Sequence, residues 1–189
     1  IRVAQRPNGA WITLPVMLAV GAQDGPTVLA DGCNHGDEYE GTEGIIKTFQ
    51  DLDVSEMKGN FIGVPAVNLE AFAQMCRFNA TEYVPQDLNR IYPGSPKGIT
   101  NYLSHFYCET ILKHCDALIT LHGGGNYEYL EPVVLYCGEG DQTAKTSKEM
   151  AEVFGFKVLW KNTGYKAGSG IMDECAYEMG IPAITPEIG

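Results

Sequence analysis

The chain has 189 residues, 44% of them hydrophobic and 20% charged, enough apolar material for one domain with a substantial core. A net charge of −11 argues against a general binder of nucleic acid or anionic membrane, because nothing offsets phosphate repulsion, though local cations could still hold a small anionic ligand. No apolar run is long enough to span a bilayer, since Trp11 to Val20 is short and contains Pro15.

Trp11 to Val20 reads as a first strand, and Asp24-Gly25 supplies a turn before a second, Thr27 to Asp31. Tyr39 to Leu52 reads as a helix, with Ile45, Ile46 and Phe49 at helical spacing. Phe61 to Val67 is a third strand, with Pro65 near its end. Asn68 to Gly98 is irregular, and a loop of that length in a compact domain is usually functional or disordered; its aromatics and paired polar residues favour function. Ile99 to His114 reads as a helix, Asp116 to Leu121 as a buried strand and Pro132 to Cys137 as another strand. Gln142 to Phe154 is a helix, Val158 to Trp160 a short strand, and Ile171 to Met179 a helix closed by Gly180. Pro182 to Ile188 is a final strand-like run. This alternation implies an α/β fold around a twisted, mainly parallel sheet flanked by helices, mixed by some antiparallel pairing near the start. The six cysteines lack a C-x-x-C pair and read as buried thiols of a cytoplasmic protein, with Cys33 beside the stretch considered next.

His35 and Glu38 stand three residues apart where a strand hands over to a helix, a spacing that lets an imidazole and a carboxylate turn toward one point. Open α/β sheets place their ligands at such junctions. Taken alone, the stretch is also explained by helix-start acids beside a solvated histidine. His122 ends an apolar strand and precedes three glycines, which let backbone and ligand approach closely; a core histidine bonded to a carbonyl is the alternative. Two imidazoles and one carboxylate would leave a fourth position for water, as in catalytic zinc sites. Arg77 and the pair Asn89-Arg90 lie in the long loop of a chain with only 13 basic residues. Their guanidinium forks suit a substrate carboxylate or an oxyanion, the alternative being surface ion pairs with Glu82 or Asp87. Glu187, at the end of the last strand, is placed as a general base unless it is a frayed, solvated terminal residue.

Taken in order, His35-x-x-Glu38, Asn68-Leu-Glu-Ala-Phe72, Asp87-Leu-Asn-Arg90, Leu121-His122-Gly-Gly and Glu187-Ile-Gly189 resemble the zinc carboxypeptidase superfamily, in particular its succinylglutamate desuccinylase/aspartoacylase branch. The phrase Asn34-His-Gly-Asp-Glu-Tyr-Glu-Gly41 is similar to bacterial members that deacylate N-acetylated diamino acids. The resemblance implies one zinc carboxypeptidase-like catalytic domain over residues 1–189. It implies one zinc ion held by His35, Glu38 and His122, with Glu187 as general base and later acid. Asn89 and Arg90 would grip the substrate carboxylate, and Arg77 would polarise the scissile carbonyl. The expected activity is hydrolysis of the amide of a small N-acyl amino acid, with a homo-oligomer left open. Between Tyr165 and Glu187 the only basic residue is Lys166, against Asp173, Glu174 and Glu178, which favours a neutral or basic substrate side chain. Relatives usually continue into a β-rich segment, whereas this sequence stops at Glu187-Ile-Gly189. A peptide-cutting metallocarboxypeptidase and a non-catalytic metal- and carboxylate-binding scaffold are the alternatives.

Overall fold

The structure is a computed structural model that describes residues 1–189. Strands β1 (Arg2–Gln5) and β2 (Trp11–Thr13) form a small antiparallel pair. The main sheet contains β3 (Met17–Val20), β4 (Gln23–Gly32), β5 (Lys58–Val64), β6 (Ala117–Gly123), β7 (Val133–Cys137), β8 (Val158–Asn162) and β9 (Ala183–Ile188). Their order across it is β3-β5-β4-β6-β9-β7-β8. The pairs β5–β4, β4–β6, β6–β9 and β7–β8 are parallel, while β3–β5 and β7–β9 are antiparallel. The expected mixed, mainly parallel sheet is therefore present, with a second antiparallel step beside β9 as well as the one near the start.

Helices α1 (Glu40–Asp51) and α4 (Gln142–Phe154) cover one face, where Ala30, Ile45 and Leu121 form one apolar cluster and Val134, Ala151 and Ile184 another. The other face carries the larger core, with α3 (Ile99–Thr110) and α5 (Met172–Glu178) packed over Leu29, Val64, Leu118 and Ala183. Side chains alternate along a strand. Because Leu118 and Ala183 face this larger core, Thr120 and His122 on β6 and Thr185 and Glu187 on β9 share its side. Burying a leucine such as Leu29 or Leu118 contributes about 1.5–3 kcal/mol, which fixes this register firmly.

Several sequence boundaries need correction. Trp11 to Val20 is two strands with different partners, because Pro15 has no N–H to donate and interrupts the run. Asp24-Gly25 lies inside β4, where the register with β5 slips between Gln23 and Thr27, and makes no hairpin turn. The third strand runs Lys58–Val64 and stops at Pro65, whose carbonyl accepts a 2.6 Å hydrogen bond from the Thr42 hydroxyl. The helix read over Ile99 to His114 ends at Thr110, and Leu112–His114 is a separate 3-10 turn. The irregular stretch Asn68 to Gly98 contains the short helix α2 (Leu69–Phe72), capped by the Asn68 side chain, and a 3-10 turn at Leu88–Arg90, capped by Asp87. No helix is long and apolar enough to cross a membrane. All six cysteines are free thiols, and only Cys76 is exposed.

Candidate metal centre

The carboxyl ends of β4, β6 and β9 lie side by side in the middle of the sheet, and the site is built there. Beyond β4 the backbone turns through Cys33, which takes a positive φ of 52°, and the Glu38 N–H closes the turn on the His35 carbonyl at 3.2 Å. Cys33 donates to the Glu38 carbonyl at 3.1 Å, and burial pushes its thiol up to about 11, which disfavours the thiolate and leaves it bracing the turn. Gly36 sits against the backbone of α2, where an added Cβ would lie 2.1 Å from the Ala71 carbonyl carbon. Gly36→Ala should therefore displace the turn and destabilise the protein by about 1–3 kcal/mol, measurable in a denaturant melt. A melting curve unchanged from the parent would show that α2 yields freely.

His35, Glu38 and His122 converge, all three buried, with one potential ligating atom from each lying within 4.8 Å of the others. His35 Nδ1 is 2.6 Å from Glu38 Oε1, and His122 Nδ1 is 2.8 Å from Glu38 Oε2. The imidazole rings stand edge to face with centroids 5.1 Å apart. The Gly123 N–H adds a 3.3 Å bond to Glu38 Oε2. Burial alone would raise the Glu38 pKa, but the hydrogen bonds and charges of His122 and His35 outweigh it and hold the carboxyl at about 2. Burial disfavours the imidazolium of His122, and the bond to Glu38 reverses this, leaving its pKa above the ordinary value.

Asp87 completes the cluster, and the sequence reading gave it no role beyond a surface ion-pair partner. Its Oδ1 lies 3.0 Å from His35 Nε2, and its Oδ2 takes Arg77 Nη2 at 2.9 Å and Nε at 3.3 Å. Burial pushes against ionisation of Asp87, yet the His35 bond and the Arg77 charge keep its pKa well below the carboxylate range. Both ring nitrogens of His35 thus face carboxylate oxygens. That arrangement calls either for a doubly protonated ring or for a metal ion in place of the Nδ1 proton, with Asp87 fixing the tautomer from behind. Two imidazole nitrogens and one carboxylate are also a donor set suited to a divalent ion such as zinc. The residues present fit the ion.

The structure places the other expected residues around this cluster. Arg77 does pair with Asp87, but the pair sits against the cluster, and Nη1 reaches Glu38 Oε1 at 3.4 Å. Glu82 pairs with neither arginine and instead accepts from the backbone N–H and hydroxyl of Thr100 at the start of α3. Asn89 is buried; its Oδ1 accepts the Met172 N–H at 2.8 Å, and its Nδ2 faces His122 Nε2 at 3.4 Å. Arg90 is exposed, and its one side-chain hydrogen bond goes to the Asn89 carbonyl at 2.6 Å, so its guanidinium makes no hydrogen bond to the cluster. Glu187 is not a frayed end. It lies within β9, opposite His122 on one side and Val133 on the other, and burial raises its pKa against the opposing pull of His122.

The profile of the succinylglutamate desuccinylase/aspartoacylase catalytic domain matches residues 24–189. An N-alpha-acetyl-L-2,4-diaminobutyric acid deacetylase of Halomonas elongata is 34% identical over 121 residues, which cover 62% of this chain and 34% of that protein. Among solved structures, a succinylglutamate desuccinylase/aspartoacylase from Rhodobacter sphaeroides superposes with a TM-score of 0.84 at 28% identity, covering 98% of this chain and 56% of that one. The product-bound ectoine utilization protein EutE (DoeB) from Ruegeria pomeroyi gives 0.87 at 27% identity, covering 98% and 57%. The chain thus spans a little over half the length of these structural relatives. By fold, by the ordered motifs and by a match over most of its length, the chain belongs to the succinylglutamate desuccinylase/aspartoacylase family.

Proposed function

We propose that the protein is a zinc-dependent hydrolase that cleaves the amide bond of an N-acyl amino acid, with an N-acetyl substrate bearing a neutral or basic side chain as the favoured class. The observation that carries this reading is the convergence of His35, Glu38 and His122 at the ends of two central strands, with Glu187 opposite His122 on the next. The three converging residues would hold the ion. When bound, zinc supplies a Lewis acid and a water whose pKa is lowered toward neutrality.

The chain's own groups do the rest. Glu187, held by β9 and partly desolvated, accepts a proton from the attacking water and returns it to the leaving amine nitrogen. Arg77, anchored by Asp87, contributes positive charge where the carbonyl oxygen becomes negative. Asn89 and Arg90 bind the substrate carboxylate, Asn89 being set in place by the Met172 N–H. The scarcity of basic residues between Tyr165 and Glu187, where Lys166 stands against Asp173, Glu174 and Glu178, supports a substrate side chain that is neutral or basic. So does the likeness to a deacetylase of an acetylated diamino acid.

Metal analysis of the purified protein, paired with a panel of N-acetyl amino acids, tests the reading. About one zinc per chain and turnover of N-acetyl-diaminobutyrate at least about tenfold above N-acetylaspartate are expected, a ratio worth about 1.4 kcal/mol of discrimination. Equal turnover of the two would refute the side-chain preference, and release of C-terminal residues from peptides alone would move the protein to the peptidase class.

A further inference from the structure

Beneath the cluster lies a set of buried polar side chains that the proposed reaction does not use. Asp31, one residue before the end of β4, has 0% exposure and accepts three hydrogen bonds from neutral groups. Tyr107 Oη donates to Oδ2 at 2.6 Å, Thr120 Oγ1 to Oδ1 at 2.8 Å, and Asn34 Nδ2 to Oδ1 at 3.3 Å. The three donors are themselves buried. Asn34 immediately precedes His35, and Thr120 stands two residues before His122 on the same face of β6, paired in register with Asp31. Asn34 is held further: its Nδ2 lies 3.2 Å from Thr120 Oγ1, and its Oδ1 accepts from Tyr92 Oη at 2.6 Å. Met172 places its sulfur 3.4 Å from Asn34 Nδ2, and its N–H holds the Asn89 that faces His122. Three routes therefore run from one carboxylate toward the two imidazoles.

A carboxylate withdrawn from water without a cation costs several kcal/mol, and three neutral donors offset only part of that. The positive charge that favours ionised Asp31 is that of His122 in the cluster. Two neutral imidazoles and one carboxylate around a divalent ion leave a net charge of about +1, which a negative group close behind the ligands would complement. We propose that Asp31 is a positioning residue and buried counter-charge for the metal centre. Through Asn34 and Thr120 it holds the His35 turn and the His122 strand in register, and its charge favours the metal-loaded state. This rests on the zinc reading above.

The test is zinc affinity, read by competition with a chelating dye, beside thermal melts of metal-free and zinc-loaded protein. Asp31→Asn keeps the volume and removes the charge. It should bind zinc about 10-fold or more weaker than the parent, within the range seen for partners behind metal ligands, and show a smaller zinc-induced rise in melting temperature. A role in folding alone predicts the opposite pattern: metal-free and loaded forms lose stability equally and the zinc dissociation constant stays within twofold, which overturns the proposal. If Asp31→Asn does not fold, Thr120→Val breaks the same link on the His122 side; severalfold weaker zinc binding is expected, and unchanged binding overturns the proposal. A parent protein that binds no zinc removes the metal reading and this inference together. Tight parent binding with unchanged variants removes the inference alone.

Discussion

Glu187→Gln is expected to keep its zinc and lose a factor of about 10²–10⁴ in kcat, the usual contribution of a positioned acid–base group. Glutamine matches the volume of the carboxylate and keeps β9 paired with β6 and β7, but it cannot take a proton. Metal content and zinc affinity should equal those of the parent, because Glu187 is no member of the converging trio. The parent's pH profile gives a second check. Glu187 serves as base only when ionised, and burial raises its pKa above the ordinary 4.5. Activity should therefore fall as pH drops through that raised value, and the acid limb should disappear from the residual activity of the variant. Turnover within about fivefold of the parent would take Glu187 out of the proton transfer altogether, since that is below the least expected of such a group.

His122→Ala should lose zinc more completely than any substitution behind the ligands. It deletes one of three donors and leaves the buried Glu38 without its 2.8 Å partner. Loss of an outer partner such as Asp87 costs about 10–100-fold in metal affinity, so removal of a ligand should exceed that range in equilibrium dialysis. The metal-free variant should also be less stable than the metal-free parent by about 1–3 kcal/mol, because a buried acceptor has lost a charged hydrogen bond. His35→Ala is the matching case and should behave alike. One zinc per chain retained by His122→Ala would mean that the ion sits elsewhere.

How much of this is legible in the residues depends on how local the signal is. The apolar runs ending at Ala30 and Leu121 are plain buried strands, so the polar groups just beyond them stand at strand ends with little ambiguity. Asp87 is different. Its partner His35 lies 52 residues away, and the loop between them has no periodicity that would bring the two together. For Arg77 a surface ion pair with Glu82 or Asp87 is only the alternative to an oxyanion or carboxylate role; it does pair with Asp87, and the chain does not announce that this pair rests on a buried cluster. Arg2–Gln5 escapes notice because only Val3 of its four residues is buried. The break at Pro15 was within reach, since a proline inside an apolar run argues against one continuous strand. Glu187 looks terminal in the chain and is central in the sheet, because β9 enters between β6 and β7, a non-local step that pattern alone does not disclose.

That late insertion gives translation an order of events. His35, Glu38 and His122 have all left the ribosome well before Ala183 is added, whereas β6 keeps an open edge until β9 arrives. Glu187, the last of these side chains to be made, therefore meets His122 only once β9 has closed that edge.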